Sequence, residues 1–411
     1  MSSRVASRAM ATVAPRTILC LASHFKGNRF LEQCKREGVK VVLLTRQAIL
    51  EQPWCREHID EVFAMSDFDD RPALLRAVSF LARSRHFDRI APLDDSDVEV
   101  VALLREHLRI PGMGETTARY FRDKLAMRAR ARDRGVRVPE FVHVLNHEDL
   151  RDFFGSVPAP WVLKPRSEAN SVGIQVLKSA EEAWRAIESL GDNAASFLVE
   201  RMVPGDVCHV DGIIQDRELI FAEAHRYKRP ILELIQGGGV FATRTLDRAS
   251  EEALELKALA TKVIKEFGLV RGVTHTEIIR SRDDGQLYFL ETAARVGGGH
   301  IADMVEIATG VKLWEEWAKI EIGQGEKPYE LPPVTRDYAA VVFCLAQQES
   351  PDVSGYDHPA IARRLLDRKQ HVGFILKGQS QAEVEGAMSE IIPRMERDFL
   401  MTLPPAEKRL F

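Results

Sequence analysis

Two apolar runs, Thr274-His275-Thr276-Glu277-Ile278-Ile279 and Leu287-Tyr288-Phe289-Leu290-Glu291-Thr292-Ala293-Ala294-Arg295, flank the polar stretch Arg280-Ser281-Arg282-Asp283-Asp284-Gly285-Gln286. The runs read as strands and the stretch between them as a hairpin turn. Antiparallel pairing then sets the carboxylates of Glu277 and Glu291 side by side. Like charges so placed repel unless a cation lies between them, and hard oxygen ligands of this kind suit Mg2+ bound together with phosphates. Taken alone, the pair also reads as two solvated strand-end acids, so the rest of the chain has to decide.

At 411 residues the chain is too long for one ordinary core; at roughly 100 to 200 residues per domain, two to four domains follow. Lys and Arg number 57 against 61 Asp and Glu, a formal net charge of -4. That near balance gives no nucleic-acid footprint, which would need a basic face or stripe. The five cysteines are spread along the chain without a CxxC pair, which suits reduced thiols and a cytoplasmic setting. No apolar run approaches the roughly 18 residues a membrane span needs. The first fifteen residues are rich in Ser, Ala and Arg; we read them as a disordered leader and exclude them from the fold.

Short apolar runs at 16–22, 40–45 and 89–93, with a helical pattern after the first and before the third, alternate as in a parallel, doubly wound sheet. Residues 16–112 therefore form one α/β domain. Its first turn, Ser23-His24-Phe25-Lys26-Gly27-Asn28-Arg29, lacks GxGxxG, so dinucleotide binding there is not expected. Residues 113–200 follow as linker helices and a small α+β lobe, with a helix stopped by Gly135 and strands at Trp161–Pro165, 174–177 and 197–200. Residues 201–325 make a larger lobe with strands around 207–224, 240–245, 273–280 and 286–292. A Pro-rich stretch introduces a C-terminal α/β segment, 326–411, expected beside the substrate cleft.

Lys164 stands at a strand end before the small-residue loop through Ser171 and Gly173, an arrangement that can neutralise a phosphate and offer it backbone N–H groups. It is not a Walker loop, since GxxxxGK[ST] is absent. Glu200-Arg201-Met202-Val203-Pro204-Gly205 leaves a strand and turns, as a hinge between lobes would. After Arg295 come Gly297, Gly298, Gly299 and His300, then a helix, an exposed N-terminus suited to a carboxylate or acyl phosphate. Arg226 lies upstream of a second glycine cluster, 237–239, and reads either as a substrate contact or as part of a solvated basic run.

In this order the pieces resemble the ATP-grasp superfamily over residues 16–325. The resemblance implies a Rossmann-like N-terminal domain followed by two α+β lobes that clasp ATP. It also implies roles. Lys124, in Asp123-Lys124-Leu125-Ala126-Met127, and Lys164 hold phosphates; the Glu200 to Val203 hinge meets adenine, with the Arg201 and Val203 backbones facing the base. Asp206 and His209 approach the ribose, and Val162, Ile279 and Leu290 clamp the ring. Glu277 and Glu291 hold the metal, and Arg295 contacts the transferring phosphate. Two departures stand out: the family's Glu-x-Asn-x-Arg has Ala293 in the middle, a ligand position that Thr292, water or substrate would have to replace, and the phosphate loop has a single glycine.

Thr274-His275-Thr276-Glu277 with the later Gly-Gly-Gly-His is particularly similar to the members that ligate L-amino acids. The resemblance implies a carboxylate–amine ligase using ATP and Mg2+, two ions of it with Mn2+ as an alternative, through an acyl phosphate, with His275 as a candidate proton acceptor. Small-molecule acid and amine would be its partners, in a homodimer. The other readings are a biotin carboxylase-like or purine-pathway ligation and, in a different class, a non-catalytic nucleotide-binding scaffold.

Overall fold

A computed structural model describes residues 16–168, 173–323 and 329–401. The proposed leader, residues 169–172 of the phosphate loop, which include Ser171, and the start of the Pro-rich stretch lie outside those residues. In the first part, β1 (Thr17–Ala22), α1 (Asn28–Arg36), β2 (Lys40–Arg46), β3 (Glu61–Met65), α2 (Arg71–Ala82), β4 (Arg89–Pro92) and α3 (Val98–Leu108) alternate. The four strands are parallel in the order β3-β2-β1-β4. Their residues bury apolar side chains on both faces, which is why β1 and β2 read as continuous apolar runs. Neighbours β1 and β4 are not consecutive, so a crevice opens at their C-terminal ends. The turn after β1 closes tightly there: Gly27 has φ 94°, and a Cβ on it would lie 2.9 Å from Leu93 Cδ1.

Two helices, α4 (Glu115–Arg119) and α5 (Lys124–Asp133), lead out of this domain. The Asp123 side chain caps α5 by accepting from the Leu125 and Ala126 N–H groups, and Gly135 follows its end with φ 65°. The small lobe comprises β5 (Phe141–His143), α6 (His147–Ser156), β6 (Trp161–Pro165), β7 (Gln175–Leu177), α7 (Ala180–Leu190) and β8 (Phe197–Arg201). Its antiparallel sheet runs β5-β8-β6-β7. Trp161, Leu163 and Val199 turn one face of it onto α6 and α7, so Val162 and Lys164 face the other way.

The large lobe adds β9 (Gly205–Gln215), β10 (Glu218–Tyr227), α8 (Ile231–Gly237), β11 (Phe241–Thr245), α9 (Glu251–Phe267), β12 (Gly272–Ser281), β13 (Leu287–Ala293), α10 (Ile301–Thr309) and α11 (Leu313–Gly323). The C-terminal section supplies β14 (Tyr338–Leu345), β15 (Ile361–Leu365), β16 (His371–Gly378) and α12 (Gln381–Asp398). Its strands are not a separate layer. They extend the large lobe's sheet into eight strands, β13-β12-β9-β10-β11-β14-β16-β15, because β11 would otherwise present an unpaired edge. Helix α9 covers one face through Leu256 and Ala260, against Cys208, Val210, Ala224 and Ile278. The alternate residues, His209, Asp211, His275 and Glu277, face the opposite side. Among the described residues, no helix is long and apolar enough to cross a membrane.

Candidate functional site

The hairpin of β12 and β13 pairs Glu277 directly with Glu291, with an irregularity in register just beyond, between Glu277 and Ile278. Its turn is tied by the Ser281 hydroxyl, which accepts from the Asp283 and Asp284 N–H groups, and by Gly285 at φ 69°. Between this hairpin and the small lobe lies a cavity of about 210 Å³. Lys124, Lys164, Glu277 and Glu291 line it on one side, and Val162, Val203, Ile279 and Leu290 supply apolar wall. The hinge strand β8 and α8 close its rim through Arg201 and Ile231. Cations, carboxylates and apolar flat walls therefore converge on one space, the composition expected of a nucleotide site.

The charges in this cleft are already paired. Lys124 Nζ lies 3.1 Å from Glu291 Oε2 and 2.5 Å from the Glu168 carbonyl oxygen, to which it donates. Lys164 pairs with the buried Glu200, whose other oxygen accepts from Arg128 Nε at 2.9 Å. Burial would raise the Glu291 carboxyl, but Lys124, Lys164 and Arg128 outweigh it and hold it at about 2. Burial lowers the Lys164 ammonium to about 8, with Arg128 adding to the push and Glu200 opposing it. A ligand with phosphate oxygens would take over partners that the two lysines now find in carboxylates.

Beneath Glu277 runs a buried polar network. Tyr227 donates its hydroxyl to Glu277 Oε1 at 2.8 Å, and His275 Nε2 approaches the same oxygen at 3.4 Å. The other ring nitrogen, His275 Nδ1, is 2.9 Å from Asp211 Oδ1, while Asp211 Oδ2 is 2.7 Å from His209 Nδ1. His209 Nε2 continues the chain to the Thr243 hydroxyl at 2.8 Å. Burial opposes charge on His275, yet Asp211 and Glu277 raise it to about 9. Both nitrogens of His275 are thus engaged, which makes it a support for Glu277 and not a free proton acceptor.

Several expected contacts are not brought to the cleft. His209 is fully buried on the sheet face below it and cannot meet a ribose. Asp206 lies at the start of β9 paired with Arg282 and with Arg226. Arg226 alternates with Tyr227 on β10, so it points to the α9 side, where it pairs with Glu252. Thr292 cannot replace the missing amide ligand: it faces away from Glu291, its hydroxyl 2.8 Å from that of Thr276. The Arg201 side chain turns outward to Glu140 at 2.6 Å, leaving its backbone for the cleft. Gly173 adopts φ 72° against Pro165 outside the cavity wall. Gly297, Gly298, Gly299 and His300 also lie outside it, on the far side of His275. There His300 Nδ1 is 3.1 Å from Asp303, an acid that already sits in the first turn of α10. Arg295 lies outside the cavity wall with its Nε 3.6 Å from Asp95 Oδ1, but its charge still interacts with Glu291 and Glu277.

Two site residues escape sequence reasoning. Arg128 is fully buried at the junction of β8 and β13, donating to Glu200 and to the Leu290 carbonyl. Tyr227 holds Glu277 from the neighbouring strand but one. The only local signal for Arg128 is its place four residues after Lys124, one helical turn on; Tyr227 has none, since its strand pairing is non-local. Among the described residues, the adjacent carboxylates of Glu277 and Glu291 face the space between the lysines and fit one Mg2+, since hard oxygens are the donors that ion prefers. For a second ion the set is short, with a methyl at Ala293 and the Thr292 hydroxyl spent elsewhere.

The family model of an ATP-grasp N-terminal domain matches residues 31–112, and that of an ATP-grasp domain matches residues 157–303. The L-arginine-specific L-amino acid ligase of Bacillus subtilis is 26% identical over 295 residues, covering 70% of each chain. An alanine–anticapsin ligase of Bacillus subtilis is 25% identical over 285 residues, covering 62% of this chain and 59% of the other. The crystal structure of an L-amino acid ligase from Bacillus licheniformis superposes with a TM-score of 0.74 over 95% of this chain and 99% of that one, at 18% identity. That likeness concerns the fold.

Proposed function

The chain belongs to the ATP-grasp superfamily, and from that premise we infer that it is an ATP-dependent, ADP-forming ligase that joins an amino acid or related carboxylate to an amine. The observation that carries this reading is the direct pairing of Glu277 with Glu291 in the wall of a cavity that Lys124 and Lys164 also line. Relatives named as an L-amino acid ligase and as an alanine–anticapsin ligase support it.

Glu277 and Glu291 would hold Mg2+, which would offset the charge of the ATP phosphates. Lys124 and Lys164 would release Glu291 and Glu200 to bind those phosphates, and Val162, Ile279 and Leu290 would enclose the base. The substrate carboxylate attacks the γ-phosphate, forming an acyl phosphate and ADP, with Arg295 stabilising the charge on the transferred group. The amine then displaces phosphate and the amide forms, while the closed lobes keep water from the acyl phosphate. Tyr227 and His275 keep the Glu277 carboxylate in place throughout.

Phosphate release is the direct test, measured with ATP, Mg2+ and single or paired L-amino acids, with the product identified by mass. Release that requires an amino acid and yields a condensed product is the expected result. Release that requires bicarbonate instead, or nucleotide binding without turnover, would sink the reading.

A further inference from the structure

A second cavity, about 600 Å³, lies apart from the nucleotide cleft and shares none of its lining residues. It is lined by the end of β4, the segment 111–120, the loop after α9, the start of β12 and one side of α11, and opens to solvent. Its size falls within the roughly 300–1,000 Å³ range of small-molecule sites. The wall is mostly apolar and includes three aromatic side chains, Tyr120, Phe267 and Trp317.

Four arginines, Arg105, Arg130, Arg217 and Arg271, are set into that wall. Glu321 is the one acid among the described residues lining it, and Arg105 already holds it. Arg130 lies over the Tyr120 ring at 5.4 Å and donates to the Glu266 carbonyl oxygen. Arg217 makes no ion pair among the described residues. Arg271 pairs with the exposed Asp216, yet its buried Nε has no hydrogen-bond partner among them. An apolar chamber with surplus guanidinium groups and an unmet N–H suits an anion carrying a flat hydrophobic body.

We propose that this cavity is a binding site for a compact aromatic carboxylate, separate from the nucleotide cleft. Its anionic group meets Arg217 and Arg271, and its body packs on Phe267 and Tyr120. The occupant would touch Val273 and Ala294, which stand two residues before His275 and one before Arg295. The site does not depend on which reaction the nucleotide cleft performs.

The probe is 8-anilinonaphthalene-1-sulfonate, an aromatic anion whose fluorescence reports burial, titrated into the full chain. One saturable site is expected, not displaced by Mg-ATP, weakened at least tenfold by Arg217→Glu and by the cavity-filling Val270→Trp. Arg217 and Val270 are both exposed, and unchanged urea midpoints would show that the variants fold. Equal binding in both variants, displacement by Mg-ATP, or equally tight binding of the uncharged N-phenyl-1-naphthylamine would each overturn the proposal.

Discussion

Glu277, which we propose as a metal ligand, illustrates how much of such a residue's behaviour is set by what stands behind it. Its carboxylate accepts from Tyr227, and the His275 ring locks the same oxygen from the side. Outer partners of this kind typically alter metal affinity or activity by about 10–100-fold when removed. Tyr227→Phe should therefore raise the Mg2+ concentration for half-maximal turnover by about that factor, with KM for the amino acid little changed; an unaltered Mg2+ dependence would show that the hydroxyl is only packing. Glu291→Gln removes the second proposed ligand and should lower kcat by about 10²–10³-fold, the scale for losing one preorganised electrostatic stabiliser. Undiminished phosphate release in that variant would mean the metal lies elsewhere.

The short segments that join the elements carry their own constraints. Gly297 follows β13 where a Cβ would lie 2.8 Å from Asp211 Oδ1 and 3.0 Å from His275 Nδ1. Gly297→Ala must push on a buried hydrogen-bonded pair, so we expect a loss of about 1–3 kcal/mol, read as a lower urea midpoint. In the loop after β4, burial pushes the Asp97 carboxyl up to about 7 although it accepts from Ser23 and the Asp94 N–H. A folded value above the unfolded one of 3.8 means the folded state binds the proton more firmly. That contribution is full below about pH 4 and is lost as the pH rises through 7. Asp97→Asn should flatten the fall in unfolding free energy between pH 4 and 7; parallel slopes for both proteins would refute it. At this scale the sequence was readable where a local signal existed. The β12–β13 hairpin, the Gly135 stop and helix α7 lie where periodicity and turn residues put them. Strand β3 is half-buried without clear alternation, and our sequence reading does not place it.

Across the whole molecule, one side chain ties three parts together. Arg128 starts from the linker helix α5, pairs with Glu200 on the small lobe and reaches the Leu290 carbonyl on the large lobe. Breaking a buried pair costs about 3–5 kcal/mol. Arg128→Met should fall near the lower figure, since Lys164 remains beside Glu200, and urea unfolding monitored by circular dichroism would measure it; a midpoint equal to wild type would show that the link carries no stability. By itself the sequence determined the alternating N-terminal domain, the paired acids, the lysines ahead of them and their order, because each rests on spacing within a few residues or on a motif. Only the tertiary structure decided which strand face became the cleft. That choice buried His209, sent Arg226 to α9, turned Thr292 away from Glu291 and drew the C-terminal strands into the large sheet. The physical reason is that alternation fixes which residues share a face, whereas which face is covered by a helix, and which edge finds a partner, depends on segments far apart in the chain.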